Sequence, residues 1–169
     1  NCLELVLIIL GLDPGYATIG FGVIDKTAGS ISAVDYGVIT TPPNETIAVR
    51  LAMIDDAMTS LMNKFRPECV SVEELFFNTN ITTGIKVAHA RGVILLNAIK
   101  ACGRLYEYTP LQIKQALTGN GRAAKHQVQY MVKTVLRLAD VPKPDDAADA
   151  LAAAICHANM SGATRREIR

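Results

Sequence analysis

The sequence predicts one α/β domain built on a five-stranded mixed sheet, and three observations predict it. Three strand-like segments with short connections follow one another near the N-terminus, as in an antiparallel meander. The chain then runs helix, strand, helix, strand and further helices, the order of a sheet covered on both faces. Its 169 residues, half of them apolar and a fifth charged, are enough for a single core and exclude disordered, collagen-like and coiled-coil classes.

Val6–Asp13 is an apolar, β-branched run stopped by Pro14-Gly15, which reads as a buried strand and a tight turn. Ile19–Asp25 and Ile31–Thr40 alternate as the next two strands, joined through Thr27-Ala28-Gly29. After Thr41-Pro42-Pro43-Asn44, the residues Ile47, Leu51, Ile54, Met58, Leu61, Met62 and Phe65 recur at helical spacing, and Arg66-Pro67 ends that helix. Cys69–Glu73 is a short strand, and the polar stretch Asn78–Thr83 leads to a helix over Ile85–Cys102. Leu105–Thr109 is the fifth strand, followed by helices over Pro110–Leu117, Lys125–Leu138 and Asp145–Met160. Residues 1–160 form the single predicted domain, and 161–169 form a small, charged tail expected to fray.

The longest apolar run, Leu5–Leu12, falls well short of the roughly 20 residues that span a bilayer, so no membrane segment is expected. Four scattered cysteines show no paired zinc or disulfide spacing, and reduced thiols in a cytoplasmic protein are the expectation. The formal charge of +1 hides a segregation: residues 1–85 carry net −6, 86–143 net +8 and 144–169 net −1. A basic stretch of that kind is an electrostatic footprint for a polyanion.

Several acidic residues stand where a lone carboxylate is costly. Asp13 ends an apolar strand, although a turn-capping role would also suit it. Glu73 and Glu74 end another strand and point to opposite sides, and parity cannot choose between them if both sheet faces are covered. Asp146 and Asp149 lie one turn apart on an Ala-rich helix, where like charges repel. Asp145 is suited to the first turn, and Asp146 could share that role, but Asp149 lies too far in to be a cap. Four carboxylates from three elements become coherent around a hard divalent cation, Mg²⁺ or Mn²⁺, because oxygen ligation without Cys or His clusters disfavours zinc. Beside a basic segment, the pattern is that of a metal-dependent nuclease.

These residues resemble the RuvC family of bacterial Holliday-junction resolvases. The likeness runs through Ile9-Leu-Gly-Leu-Asp-Pro-Gly15 and Gly20-Phe-Gly-Val23, then Val72-Glu-Glu-Leu-Phe76 and Ala88-His-Ala-Arg-Gly-Val93. It continues through Gln112-Ile-Lys114 to Asp146-Ala-Ala-Asp-Ala-Leu-Ala152. It implies an RNase H-like fold, a homodimer, and Mg²⁺-dependent phosphodiester hydrolysis that nicks four-way DNA junctions in symmetric pairs during recombination and repair. It also implies work beside the RuvA–RuvB branch-migration complex. Carried over by position, the catalytic and metal-binding acids are Asp13, Glu73, Asp146 and Asp149, with Lys114 and Lys125 near the scissile phosphate. The resemblance prefers Glu73 to Glu74; Asp145 is an extra acid beside the motif, suited to capping the helix but able to substitute as a ligand. Phe76 aligns with a residue that stacks on a junction base, whereas Phe77 has no assigned role. Arg91, Arg104 and Arg122 are candidate phosphate contacts. Apolar residues over Ile81–Ile99 exceed what one buried face needs, which makes that helix the expected subunit contact.

Three rival readings are weaker, one of them a non-catalytic junction-binding module, which would keep the basic stretch but has no need for Asp149. Actin-like ATPases share the Asp13-x-Gly15 start but need a duplicated domain, for which this chain has no room. An RNase H-type enzyme cutting RNA–DNA hybrids could use the same four acids.

Overall fold

The computed structural model describes residues 6–75, 81–160 and 167–168. Strands β1 (Leu7–Asp13), β2 (Thr18–Lys26) and β3 (Ile31–Thr40) form the antiparallel meander. Helix α1 (Ile47–Phe65) leads to β4 (Cys69–Glu73), and α2 (Ile81–Cys102) to β5 (Leu105–Tyr108). Helices α3 (Pro110–Thr118), α4 (Lys125–Val135) and α5 (Asp145–Asn159) complete the described elements. The sheet order is β3-β2-β1-β4-β5, with β4 parallel to both β1 and β5. This is the predicted five-stranded mixed sheet flanked by helices.

The sheet separates two apolar cores. On one side Leu10, Leu12, Val70 and Val72 meet Ile54, Met58 and Met62 of α1 and Ala90, Ile94 and Ala98 of α2. On the other side Ile9 and Cys69 meet α5, with Ile113 and Leu117 of α3 and Val128 and Val132 of α4 packed outside. Residues 9, 11 and 13 of β1 therefore face α5, as do 69, 71 and 73 of β4. Ser71 confirms that facing by donating from its Oγ to the Ala153 carbonyl at 2.7 Å.

Glycine and alanine let α5 lie directly on this floor. A Cβ at Gly11 would stand 2.0 Å from the Ala150 carbonyl oxygen, and one at Gly20 would stand 2.0 Å from that of Asp146. Both are main-chain atoms, so no rotamer change could relieve the clash. Residues Ala147, Ala148 and Ala150 to Ala154 are all essentially buried, because small side chains permit the close approach.

Element ends differ from the sequence reading for local reasons. Helix α2 starts at Ile81, inside the stretch read as loop, because Thr82 and Thr83 are exposed and give no apolar periodicity. Strand β5 stops at Tyr108 because Thr109 caps α3: its Oγ1 accepts from the Gln112 amide at 3.1 Å and Gln112 answers at 2.9 Å. Helix α4 ends at Val135, where Arg137 enters the left-handed region at φ 53°. Residues 167 and 168, expected in a loose tail, bridge the outer edge of β5, with the Ile168 amide donating to the Leu105 carbonyl at 2.8 Å. No helix among the described residues is long and apolar enough to cross a membrane.

Replacing Gly11 with alanine is expected to destabilise the fold by about 1–3 kcal/mol or more, since the added methyl must displace α5 main chain. Urea unfolding monitored by circular dichroism measures this, and an unchanged midpoint would contradict the close packing.

Candidate active site

The site forms where three chain ends meet. Asp13 is the last residue of β1 and Glu73 the last of β4, and the register Leu12↔Val72 sets the two parallel strand ends side by side. Asp13 pairs across β2 with Gly20, on which the Asp146 main chain rests. One turn further along α5, Asp149 projects beside Lys125, the first residue of α4. Glu73, Asp149, Lys114 and Lys125 line a cavity of about 210 Å³ whose apolar wall includes Ile113 and Val128. A larger cavity of about 680 Å³ beside Tyr130, Met131 and Val141 carries none of the carboxylates.

The electrostatics are those of an excess of negative charge. Burial, then the neighbouring Asp149 and Asp146, push the Asp13 carboxyl up to about 7. Burial, then Asp13 and Asp149, push Glu73 up to about 7 as well. Asp149 is also raised by burial, against the opposing pull of Lys125. Lys125 Nζ lies 3.0 Å from Asp149 Oδ2 and 3.5 Å from Asp145 Oδ2. Partial burial lowers the affinity of Lys125 for its proton, but the bonds to the two aspartates outweigh it and the net shift is upward.

A divalent cation fits this donor set. The donors are carboxylate oxygens, suited to hard cations, and the two raised carboxyls lack a full counter-charge. Among the described residues, no three Asp, Glu, His or Cys side chains stand close enough to cage an ion as they are. The cation that now answers Asp149 is the Lys125 ammonium.

Comparison with known proteins decides the family. The family model described as "Crossover junction endodeoxyribonuclease RuvC" matches residues 9–157. The chain belongs to the RuvC family. It is a nuclease that resolves crossover junctions in DNA. Crossover junction endodeoxyribonuclease RuvC of Ruminiclostridium cellulolyticum is 51% identical over 153 residues, covering 90% of this chain and 92% of the relative. The Brevibacillus brevis RuvC is 54% identical over 152 residues, covering 90% and 92%. The structure of Thermus thermophilus RuvC in complex with a Holliday junction substrate superposes with a TM-score of 0.90 at 37% identity, covering 96% of this chain and 99% of that one.

Within this RuvC-family fold the residues singled out from sequence separate into groups. Asp13, Glu73, Asp146, Asp149, Lys114 and Lys125 share one locality, coupled through their charges or the common cavity. Glu73 lies on the α5 side, whereas Glu74 belongs to the opposite parity and lies near enough to Arg91 to support its charge. Arg122 is exposed on the turn before α4. Phe76 and Phe77 lie outside the described residues.

Arg91, expected as a candidate phosphate contact, is held inside the fold. Its guanidinium is largely buried, pairs with Glu107 of β5 and donates from Nη1 to the Glu73 carbonyl at 2.8 Å. It braces the strand end that carries Glu73.

Arg50 is a residue that the sequence reading passed over. It is 6% exposed on α1, donates from Nε to Thr41 Oγ1 at 2.8 Å and from Nη2 to the Tyr16 carbonyl at 3.3 Å, and stacks 3.7 Å from the Tyr16 ring centroid. It thereby ties down the turn that follows Asp13. The available signal was an arginine in line with Ile54, Met58 and Met62, on the apolar face of α1.

The raised carboxyls set a pH dependence with a definite sign. Asp13 binds its proton more tightly folded (about 7) than unfolded (3.8), so its ionisation costs stability progressively as pH rises through that window. Glu73 acts in the same direction between 4.5 and about 7. Asp13→Asn is therefore expected to raise the metal-free Tm near neutral pH, with the gain vanishing towards pH 4. Thermal melts across that range in chelator test this, and a lowered Tm at neutral pH would refute it.

Proposed function

We propose that Asp13, Glu73, Asp146 and Asp149 form the catalytic, metal-holding acids of this RuvC-family nuclease, with Mg²⁺ as the working ion and Mn²⁺ able to replace it. The observation that carries this reading is the convergence of Asp13, Glu73 and Asp149 from β1, β4 and α5 on one partly buried spot, two of them raised to about 7. When bound, the divalent ion supplies Lewis-acid activation of water and of the scissile phosphodiester.

The chain's own residues supply positioning and charge. Glu73 and Asp13, fixed on adjacent strand ends, hold the attacked phosphate's surroundings rigid, since neither stands on a loop. Lys114, half-buried in the second turn of α3, presents a compact positive charge to the cavity and offsets negative charge developing on phosphate. Lys125 does the same from the mouth of the cavity. Exposed Arg122 and the other basic residues of 86–143 supply the backbone contacts that give affinity without sequence information. Phe76 stacks on an unpaired base at the junction centre.

We further propose that two copies act together, one nick each, on the symmetric junction. Support comes from α2, where Ile85, His89, Gly92, Leu96 and Ile99 are all exposed along one stripe at heptad spacing. Ile85 and Leu96 are 52% and 50% exposed, more than a solitary soluble helix normally leaves open on one line. The RuvA–RuvB branch-migration complex is the proposed partner machinery, and the cytoplasm the proposed location.

Asp149→Asn is expected to lower cleavage of a synthetic four-way junction by about 10²-fold or more while junction binding persists. Gel assays with the junction, a linear duplex and an RNA–DNA hybrid, with and without Mg²⁺, measure both properties. Cleavage at the wild-type rate would remove Asp149 from the site, and cutting of the hybrid in preference would favour the RNase H reading. Leu96→Glu is expected to convert a dimer to monomers in sedimentation at micromolar concentration, and an unaltered dimer would move the contact off α2.

A further inference from the structure

Lys125 stands between two aspartates, only one of which belongs to the proposed metal set. Its ammonium is 3.0 Å from Asp149 Oδ2 and 3.5 Å from Oδ2 of Asp145, the first residue of α5. Asp145 is the more accessible of the two, its side chain 48% exposed against 27% for Asp149. The other oxygen of Asp145, Oδ1, faces Lys143 at 3.4 Å, Oδ2 faces Lys125, and the Gln129 side chain also interacts with this carboxylate.

An ammonium and a divalent cation cannot both sit against Asp149. At contact distance their repulsion is comparable to the attraction that each gains from the carboxylate. The lysine must move when the metal arrives, and a four-carbon side chain released into solvent regains rotamer freedom and leaves the cavity mouth. Asp145 removes that choice, because its Oδ2 already faces the same ammonium at 3.5 Å.

We propose that Asp145 is a positioning residue: it is the second carboxylate seat onto which Lys125 passes when a divalent cation takes Asp149, keeping the ammonium at the cavity mouth where the phosphate lies. The inference rests on the metal reading above. It gives the extra acid beside the Asp146–Asp149 pair a task distinct from ligation, performed through Lys125. It also makes Lys125 a stand-in counter-ion for Asp149 in the metal-free protein, released without leaving the site.

The test is a calorimetric titration of the full-length chain with MgCl₂, comparing wild type, Asp145→Asn, Asp145→Glu, Lys125→Gln and the Asp145→Asn/Lys125→Gln double variant. With no second seat, Lys125 stays on Asp149 and competes with the ion. Asp145→Asn is thus expected to weaken Mg²⁺ binding about threefold, the scale of a half-exposed ion pair. Asp145→Glu restores the affinity. In the Lys125→Gln background, Asp145→Asn changes nothing, because the residue acts through the lysine. Equal weakening in both backgrounds would mean that Asp145 acts by bare charge and would overturn the proposal, as would no weakening in either. Absence of Mg²⁺ binding by the wild type would instead sink the metal reading itself. Asp145 is solvent-facing, and matching circular-dichroism melts in chelator verify that each variant folds.

Discussion

The seating of α5 on bare main chain governs the rest of the structure. Gly11 and Gly20 remove the side chains that would hold a helix at the ordinary distance from a sheet, and the alanines of α5 remove those that would hold it from the other side. The helix therefore sits close over β1 and β2, and its Asp146 and Asp149 arrive near enough to Asp13 to act on its charge. A helix standing off by one layer of leucine would have the same acidic motif and no shared site. The packing cost of alanine, which buries little apolar area per residue, is met by the two cores on either side of the sheet.

That placement has an electrostatic consequence. Carboxylates at neighbouring strand ends and on one helix turn repel, and burial denies them water. Asp13 and Glu73 stand on strands paired on both sides, β1 between β2 and β4 and β4 between β1 and β5. Of the four acids proposed to hold the metal, Asp149 is the one paired with Lys125 among the described ion pairs. A site left short of positive charge, within a rigid frame and beside a basic segment, is prepared for a cation and for a polyanion together.

Much of this was legible in the sequence, and the limits were physical. Asp13 and Asp149 stood out because an acid at the end of an apolar strand or deep in an alanine helix needs a reason. The five strands were visible because apolar runs and turn residues are local signals. The choice between Glu73 and Glu74 was not legible from pattern, since both faces of β4 are covered; parity with Cys69 and Ser71 puts Glu73 on the α5 side, which requires knowing where α5 lies. Arg91 read as a surface cation because its partner Glu107 comes from a strand 16 residues away, a pairing that no local pattern encodes. Arg50 was overlooked for the complementary reason: a charged residue among apolar neighbours is discounted, although its position on the buried stripe of α1 was plain. The glycines of β1 and β2 carry no local signal of their purpose, and only the helix above them gives them meaning.

Arg91 adds a polar tie to the apolar packing that already holds α2 against β4. Its backbone belongs to α2, the helix bearing the exposed Ile85–Leu96–Ile99 stripe, while its guanidinium grips the carbonyl of Glu73. Any tilt or slide of that helix is handed through the guanidinium to the main chain of Glu73, one of the acids proposed to hold the metal. One rigid strut thus makes the outer surface of the molecule and the chemistry inside it parts of a single lever.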